Sequence, residues 1–245
     1  MLTITIVIPV YNEGKNIDRT LDSLNMQIKK MQDVTANFVV NIIYDFDEDN
    51  TLPVIKRIRE NYSMPINLIK NDKRGVIFAI KNGIKTAEGD YVLITMADMS
   101  DDYEILPQLV DLARQEYDVI CGSRYMKGGK LYGGPLLKQL LSRVAGISLH
   151  FLTGIPTHDI TNSYKMYKKS IFNNMVLESE GGFEIGMEIT AKTFINGGKI
   201  TEIPSRWWDR TEGKSRFQLT KWLPKYLQWY FYVLKNNFLK TPKHE

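Results

Sequence analysis

Short apolar runs alternate with longer segments of helical spacing along the first half of the chain. The runs are rich in β-branched residues and predict strands; they lie at residues 3–9, 38–43, 66–69, 91–94 and 118–122. Between them, apolar residues recur every three or four positions, as in the series Ile17, Leu21 and Leu24, which predicts helices. Because strand and helix alternate five times, the pattern predicts right-handed βαβ units and a mostly parallel sheet.

The run at residues 91–94 ends in a group of polar side chains. It is apolar without alternation, as expected of a strand covered on both faces, and it is followed by Asp98, Ser100, Asp101 and Asp102. Ligands of open α/β sheets bind beyond the carboxyl ends of the strands, and carboxylate and hydroxyl oxygens suit Mg²⁺ or Mn²⁺. The sequence therefore predicts a diphosphate-bearing substrate at this edge, with Asp101 and Asp102 capping the helix that follows.

The second half of the chain has a different pattern. Residues 136–152 and 220–235 predict long helices, whereas residues 163–167 and 199–203 predict strands on either side of a helix at 184–196. The first of these helices is amphipathic. Its apolar side consists of Leu137, Leu140, Leu141, Val144, Ile147 and Phe151. The last helix is rich in aromatic and basic side chains, so it is interpreted either as core packing or as a helix at a membrane interface.

Composition places the chain among folded globular proteins. Its 245 residues are 43% hydrophobic and 24% charged, enough for one sizeable core. The single cysteine, Cys121, lies within an apolar run, which favours a core residue over a nucleophile. The chain starts on an apolar run without a basic leader, so we expect no signal peptide. No segment reaches the roughly 20 apolar residues of a membrane-spanning helix.

The net charge of +4 is unevenly distributed along the chain. Acidic residues concentrate at 45–49 and 98–104, and basic residues concentrate at 206–225. No interleaved aromatic and basic platform of the kind that binds single-stranded nucleic acid is evident. The distribution therefore favours an anionic ligand or an anionic surface as partner, and it argues against a nucleic acid.

Five motifs fall in an order typical of one enzyme family. They are Pro9-Val10-Tyr11-Asn12-Glu13, the acidic loop after the second predicted strand, the helix Gly75-x-x-x-Ala79-x-x-x-Gly83, the strand end Ala97-Asp98 and Gly122-Ser123-Arg124-Tyr125. Together they resemble family 2 glycosyltransferases of the GT-A fold, especially the dolichyl-phosphate mannose synthase (polyprenyl-phosphate glycosyltransferase) branch. The resemblance covers residues 3–216. It implies an α/β, Rossmann-like domain at 1–216, with a mostly parallel sheet flanked by helices, and a C-terminal amphipathic aromatic and basic helix and tail at 217–245.

The resemblance implies a site for a nucleoside diphosphate sugar. The residues expected to hold the nucleoside are Pro9, Tyr11, Glu13 and Asp45. Those expected to contact the rest of the donor are Lys73, Ala97, Asp98, Arg210 and Ser215. The segment with Arg210, Gly213, Ser215 and Arg216 resembles a loop that closes over the donor phosphates. For the loop residues around Asp45, a structural role as caps and rim packing stays open as the alternative.

In this family an Asp-x-Asp motif holds a divalent ion that bridges the donor phosphates. Here Met96 stands in place of the first acid. The expected metal ligands are therefore Asp98 and Ser100, with phosphate oxygens completing the coordination of Mg²⁺ or Mn²⁺. Without the metal, lysine and arginine side chains must neutralise the phosphates.

Three further residues match positions that gather phosphate oxygens in the synthase branch: Arg124, Lys138 and Ser142. Lys138 and Ser142 lie one helical turn apart, and an arginine fork on a neighbouring loop can converge on them. A solvated helix face is the alternative. Together with Asp98, Glu184 and Arg210, these three are the expected catalytic residues.

Glu184 separates two classes of acceptor. A polyprenyl phosphate is ionised near neutral pH and needs no base, whereas a glycan hydroxyl does. We expect an inverting transferase that moves a sugar to a dolichyl or undecaprenyl phosphate, in a cytoplasmic protein bound peripherally to the inner face of a membrane. Two alternatives stay open: transfer to a glycan hydroxyl with Glu184 as base, and a non-catalytic scaffold that binds nucleotide sugars. The donor base, the sugar and the oligomeric state stay open as well.

Overall fold

The computed structural model describes residues 1–31, 36–210 and 219–239. Strands and helices alternate through these ranges. In chain order they are β1 (Leu2–Pro9), α1 (Ile17–Lys30), β2 (Ala36–Tyr44), α2 (Thr51–Ile58), β3 (Ile66–Lys70), α3 (Val76–Thr86), β4 (Tyr91–Ile94), α4 (Leu106–Arg114), β5 (Val119–Ser123), β6 (Lys130–Tyr132), α5 (Leu136–Thr153), β7 (Lys165–Lys168), α6 (Ile185–Ile195), β8 (Ile200–Pro204), β9 (Arg206–Trp208) and α7 (Leu219–Leu239).

Seven of these strands form one mixed sheet in the order β3-β2-β1-β4-β7-β5-β8. Neighbouring strands are parallel except at β7, which runs antiparallel to both β4 and β5. The predicted α/β fold with a mostly parallel sheet is therefore confirmed. The free, buried Cys121 lies in β5, and its prediction as a core residue is confirmed too.

The sheet is covered on both faces. In β1, Ile6 belongs to the core shared with α1 and α4, whereas the next residue, Val7, belongs to the core shared with α3 and α6, because successive side chains of a strand point to opposite faces. Helix α3 lies very close to the sheet at Gly83, where a Cβ atom would come within 2.2 Å of Val7 Cγ1. The absence of a side chain at Gly83 therefore lets this helix approach the sheet closely.

A third apolar cluster joins α5, α6 and α7. It includes Leu149, Met187, Trp229 and Val233, so α7 packs on α5 and α6. The helix predicted at 220–235 is therefore present, while the predicted domain division at residue 216 falls outside the described residues.

Two features differ from what the sequence pattern indicates. Strands β6 and β9 pair in parallel as a second, two-stranded sheet; strands of three residues are too short to show a recognisable period. Helix α5 is amphipathic as predicted, but its described side chains are largely uncovered, and Gly146 and Leu149 are its buried residues. The α5 side chains more than half exposed are Leu136, Leu137, Leu140, Val144, Phe151 and Leu152.

Candidate active site

A cavity of about 1360 Å³ opens beyond the carboxyl ends of β1, β2 and β4. The predicted site residues that line it are Pro9, Tyr11, Glu13, Asp45, Ala97, Asp98, Ser100, Arg124, Lys138, Ser142 and Arg210. Two other described residues of the prediction, Lys73 and Glu184, do not belong to this lining, and Ser215 lies outside the described residues. The structure thus brings eleven of the predicted residues to one cavity.

The loop after β4 presents Asp98 to the cavity. Met99 adopts a left-handed backbone conformation, with φ of 63°, which is unusual for a residue with a side chain. This turn lets the backbone N–H of Ser100 donate to Asp98 Oδ1 at 3.2 Å. Asp98 and Ser100 are both buried, so a local turn fixes the two residues predicted as metal ligands.

Arg210 contacts Asp98 directly at the wall of the cavity. Its Nη2 donates to Asp98 Oδ2 at 2.7 Å, and its Nη1 lies 3.8 Å from Glu13 Oε1. Burial raises the pKa of Glu13 above its ordinary value, and the charge of Asp98 adds to that effect. The guanidinium therefore lies between two carboxyl groups.

Arg124 forms a two-pronged ion pair with the buried Asp159. Its Nε donates to Asp159 Oδ2 at 2.6 Å and its Nη2 donates to Oδ1 at 2.9 Å, while Nη2 also donates to Thr161 Oγ1 at 3.2 Å. Burial alone would raise the pKa of Asp159, but the Arg124 guanidinium holds that pKa below its ordinary value. Arg124 lines the cavity, and this pair fixes the orientation of its guanidinium.

Lys138 and Ser142 reach the cavity from one side of α5. Burial lowers the pKa of Lys138, and the positive charge of Arg124 lowers it further. Ser142 Oγ donates to the carbonyl of Gln139 at 3.0 Å and shares a hydrogen bond of 2.5 Å with the Tyr125 hydroxyl. A half-buried lysine near other cations is a group whose charged form an anionic ligand would stabilise.

The acidic loop after β2 is used mainly within the protein. Asp45 accepts hydrogen bonds from Asn71 Nδ2 at 3.0 Å and from the Gly75 N–H at 2.9 Å. Asp49 is fully buried and accepts from the backbone N–H of Asn12 at 3.0 Å. These contacts hold three loops together around the cavity rim, so the structural alternative for this region has direct support.

Asp101 and Asp102 have different roles. Asp102 accepts from the Glu104 N–H at 3.3 Å, as expected of a cap. The cap predicted for Asp101 is wrong, because this carboxylate accepts from the Thr95 hydroxyl at 2.8 Å and from the Met96 N–H at 3.0 Å. Burial raises the pKa of Asp101 to about 7. Asp101 closes the loop that follows β4.

Glu184 is fully buried at the start of α6. Its two carboxylate oxygens accept from the N–H groups of Gly181 and Gly182, each at 2.6 Å. Its neighbours Gly181 and Phe183 line the cavity. The carboxylate therefore braces the loop that forms part of the wall.

The wall contributed by α5 and α7 is largely apolar. We call it the apolar wall, and it consists of Leu137, Leu141, Val144, Leu223, Leu227 and Tyr230. We call a set of five acidic and basic side chains in the same lining the charged part; it consists of Glu13, Asp98, Arg124, Lys138 and Arg210. The two parts meet on α5, because Lys138 and Ser142 each follow a residue of the apolar wall. One cavity is therefore suited to a charged group and a hydrocarbon chain placed side by side.

Sequence reasoning missed three contributors to this site. Asp159, which fixes Arg124, lies 35 residues from it in the chain, and Trp207 reaches the cavity from the unpredicted strand β9. The apolar wall was missed because its α5 residues were interpreted as one side of an amphipathic helix, and the last helix was interpreted as core packing or as a helix at a membrane interface. No local pattern pairs Asp159 with Arg124, because the two residues belong to distant segments of the chain.

Comparison with known proteins identifies relatives for most of the chain. The model of glycosyl transferase family 2 matches residues 5–176. A dolichol-phosphate mannosyltransferase from Pyrococcus furiosus is 26% identical over 239 residues, which cover 96% of this chain and 64% of that protein. An undecaprenyl-phosphate mannosyltransferase from Micrococcus luteus is 28% identical over 218 residues, which cover 86% of this chain and 85% of that protein.

Solved structures show the same architecture at lower identity. Glucosyl-3-phosphoglycerate synthase from Mycobacterium tuberculosis, solved with Mn²⁺, UDP and glucosyl-3-phosphoglycerate, superposes with a TM-score of 0.68 at 14% identity, covering 98% of this chain and 82% of that one. TarS from S. aureus, residues 1–349, gives a TM-score of 0.62 at 18% identity, covering 100% of this chain and 67% of that one. These likenesses show the fold, an α/β sheet of the GT-A type flanked by helices.

Proposed function

The chain belongs to glycosyl transferase family 2 and is an enzyme of that family, and from this premise we propose that it transfers a sugar from a nucleoside diphosphate sugar to a polyprenyl phosphate, with inversion at the anomeric carbon. The observation that supports this proposal is the single cavity in which the charged part adjoins the apolar wall. A phosphate at the head of a long hydrocarbon chain matches that combination.

The charged part is proposed to bind the donor and the acceptor phosphate. Arg210 would leave Asp98 for the donor diphosphate, and Arg124 and Lys138 would hold the acceptor phosphate. Arg124 has donors left for this, since its contacts with described residues use Nε and Nη2. A ligand phosphate would also favour the charged form of Lys138, whose pKa burial lowers.

A divalent cation fits this arrangement in part. Among the described residues, no three His, Cys, Asp or Glu side chains are grouped to hold an ion, but Asp98 and Ser100 are adjacent, buried oxygen donors that line the cavity. Such a pair suits Mg²⁺ or Mn²⁺ when phosphates and waters supply the remaining ligands. When bound, the ion would neutralise charge on the departing nucleotide. The Mycobacterium tuberculosis synthase was solved with Mn²⁺.

The proposed reaction is a direct displacement. An oxygen of the lipid phosphate forms a bond to the anomeric carbon, the bond from that carbon to the donor diphosphate breaks, and the nucleoside diphosphate leaves with the electron pair. The acceptor is already ionised near neutral pH, so no general base is required. Arg124, Lys138 and Arg210 serve by orienting both phosphates and stabilising charge on the leaving group.

The partner membrane is proposed from the exposed apolar residues of α5 and α7. No helix in the described ranges has the length and apolar character to cross a bilayer. The exposed apolar side chains of α5 and α7 share these helices with the exposed basic residues Arg143, Lys221 and Lys235, a combination suited to an anionic lipid interface. We propose that the protein lies on the inner, cytoplasmic face of a membrane.

The alternative acceptor, a glycan hydroxyl, requires Glu184 as base. The full burial of Glu184 and its hydrogen bonds to Gly181 and Gly182 favour a structural role instead. This arrangement supports the lipid phosphate as the preferred acceptor.

The proposal is tested by offering radiolabelled UDP and GDP sugars with polyprenyl phosphate in vesicles, with and without Mn²⁺. We expect label in the organic-solvent extract with one donor. Absence of extractable label with every donor, together with label in an added glycan, would reject the lipid acceptor in favour of the hydroxyl alternative.

A further inference from the structure

Two charged side chains connect strand β9 to the loop after β4. The Arg206 guanidinium donates to both carboxylate oxygens of Asp102, from Nε to Oδ2 and from Nη2 to Oδ1, each at 2.9 Å. The backbone N–H of Arg206 also donates to Asp102 Oδ2 at 2.9 Å. Asp102 is 3% exposed. This is a charge-assisted, two-pronged contact, the geometry that orients its partners most strictly.

A second contact joins the same two segments. The backbone N–H of Trp208 donates to the carbonyl of Ser100 at 3.1 Å. From these anchors the chain has little freedom: Arg210 follows Trp208 by two residues, and Asp98 precedes Ser100 by two. Each residue spans at most about 3.6 Å. The two contacts therefore limit the positions that the backbone of both Asp98 and Arg210 can take.

From this geometry we infer that Arg206 and Asp102 are a positioning pair for the donor diphosphate. They touch no ligand themselves, since neither lines the cavity. They act through Arg210, by holding its segment beside Asp98, from where the guanidinium can turn to the donor diphosphate. Because the segment is already placed before the ligand arrives, less order has to be created on binding. The inference rests on the proposed function for the identity of this ligand.

A variant that tests the inference should remove the two-pronged hydrogen bonding of the Arg206 guanidinium. Lysine keeps the positive charge and most of the side-chain length but cannot donate in two parallel bonds, so Arg206→Lys loosens the pair with little effect on the rest of the fold. The matched control is Arg59→Lys, the same change at an exposed arginine that pairs with Glu60 outside the cavity.

The test is a double-mutant cycle in calorimetric binding of UDP and GDP in the presence of Mn²⁺. We expect R206K to weaken binding of the preferred nucleotide by about threefold to twentyfold, and R59K to bind like the wild type. In R210A, which itself binds weakly, adding R206K changes nothing further, because Arg206 acts through Arg210. Equal losses from R206K in both backgrounds, or none in either, would overturn the inference.

A measurement without ligand separates this inference from the proposed function. Amide hydrogen exchange at Trp208 is expected to be faster in R206K than in the wild type, with the amides of β1 unchanged. Unchanged exchange at Trp208 would overturn the inference even where nucleotide binding is normal. A wild-type protein that binds neither nucleotide would instead overturn the donor proposal, together with this role in donor binding.

Discussion

The charged part of the cavity and the exposed side of α5 satisfy their side chains in opposite ways. In the charged part, described ionised groups have internal partners, as Arg124 has Asp159 and Arg210 has Asp98. Along α5, by contrast, six large apolar side chains are more than half exposed. Exposed apolar area of this extent on adjoining elements marks an interaction surface. The charged part is thus preorganised without its ligand, whereas these six side chains of α5 have no cover within the described structure.

The largest expected effect concerns the charged part. Asp98→Asn removes the negative charge that pairs with Arg210, and with it the proposed carboxylate ligand of the metal. We therefore expect turnover to fall by about 10²–10³-fold. The melting temperature should change little, because Asn keeps the shape and the acceptor for the Ser100 N–H. Asp111→Asn, at an exposed acid on α4, is the control. If the steady-state rate of D98N stays near the wild-type value, Asp98 has no part in the proposed mechanism.

The next prediction concerns the exposed side of α5. Leu140→Glu with Phe151→Glu changes two exposed residues that do not line the cavity. We expect kcat/KM for a vesicle-embedded acceptor to fall by roughly tenfold or more, since burial of one such side chain contributes about 1.5–3 kcal/mol. For a short, water-soluble alkyl phosphate as acceptor, kcat/KM of this variant should equal the wild-type value.

The control for this pair is Val176→Glu, at an exposed apolar residue outside α5 and α7. If the α5 variant and the control lower kcat/KM for the vesicle-embedded acceptor equally, the exposed side of α5 has no specific role in reaching that acceptor.

A pH profile distinguishes the cation of Lys138 from an ordinary surface lysine. Burial lowers its pKa, so the charged form is lost as pH rises through that lowered value, below the range near 10.4 of a free lysine. We therefore expect acceptor binding to weaken on the alkaline side earlier than for an unperturbed lysine. In Lys138→Arg this alkaline limb should move to higher pH, since arginine stays charged. Identical profiles for both proteins would show that another group titrates.

The smallest expected effect on turnover is at Glu184. Glu184→Gln keeps one acceptor oxygen for the loop N–H groups, so we expect a loss of about 1–2 kcal/mol in the free energy of unfolding and turnover within a few-fold of the wild type. Denaturant unfolding and initial rates measure both. Loss of turnover with intact donor binding would revive the glycan-hydroxyl acceptor.

The sequence predicted the charged part better than the apolar wall, for a physical reason. Glu13 and Asp98 follow β1 and β4, and parallel strands end at one edge of a sheet, so their positions in the chain predict that they lie close together. Arg124, Lys138 and Arg210 were expected from the family resemblance. The pattern of an amphipathic helix does not tell whether its apolar side faces the core or is exposed, since both cases show the same spacing of apolar residues. The pairs Arg124–Asp159 and Arg206–Asp102 depend on contacts between distant segments, which no local pattern contains.

The central claim is that a lipid chain lies against the apolar wall while its phosphate lies in the charged part. Photoaffinity labelling with a polyprenyl phosphate that carries a photoreactive group near its first isoprene unit tests this directly. We predict that the adducts, mapped by mass spectrometry, fall on α5 and α7 and disappear when unlabelled polyprenyl phosphate is in excess. Adducts on α1, α2 or α4, or adducts that the competitor does not remove, would contradict the account.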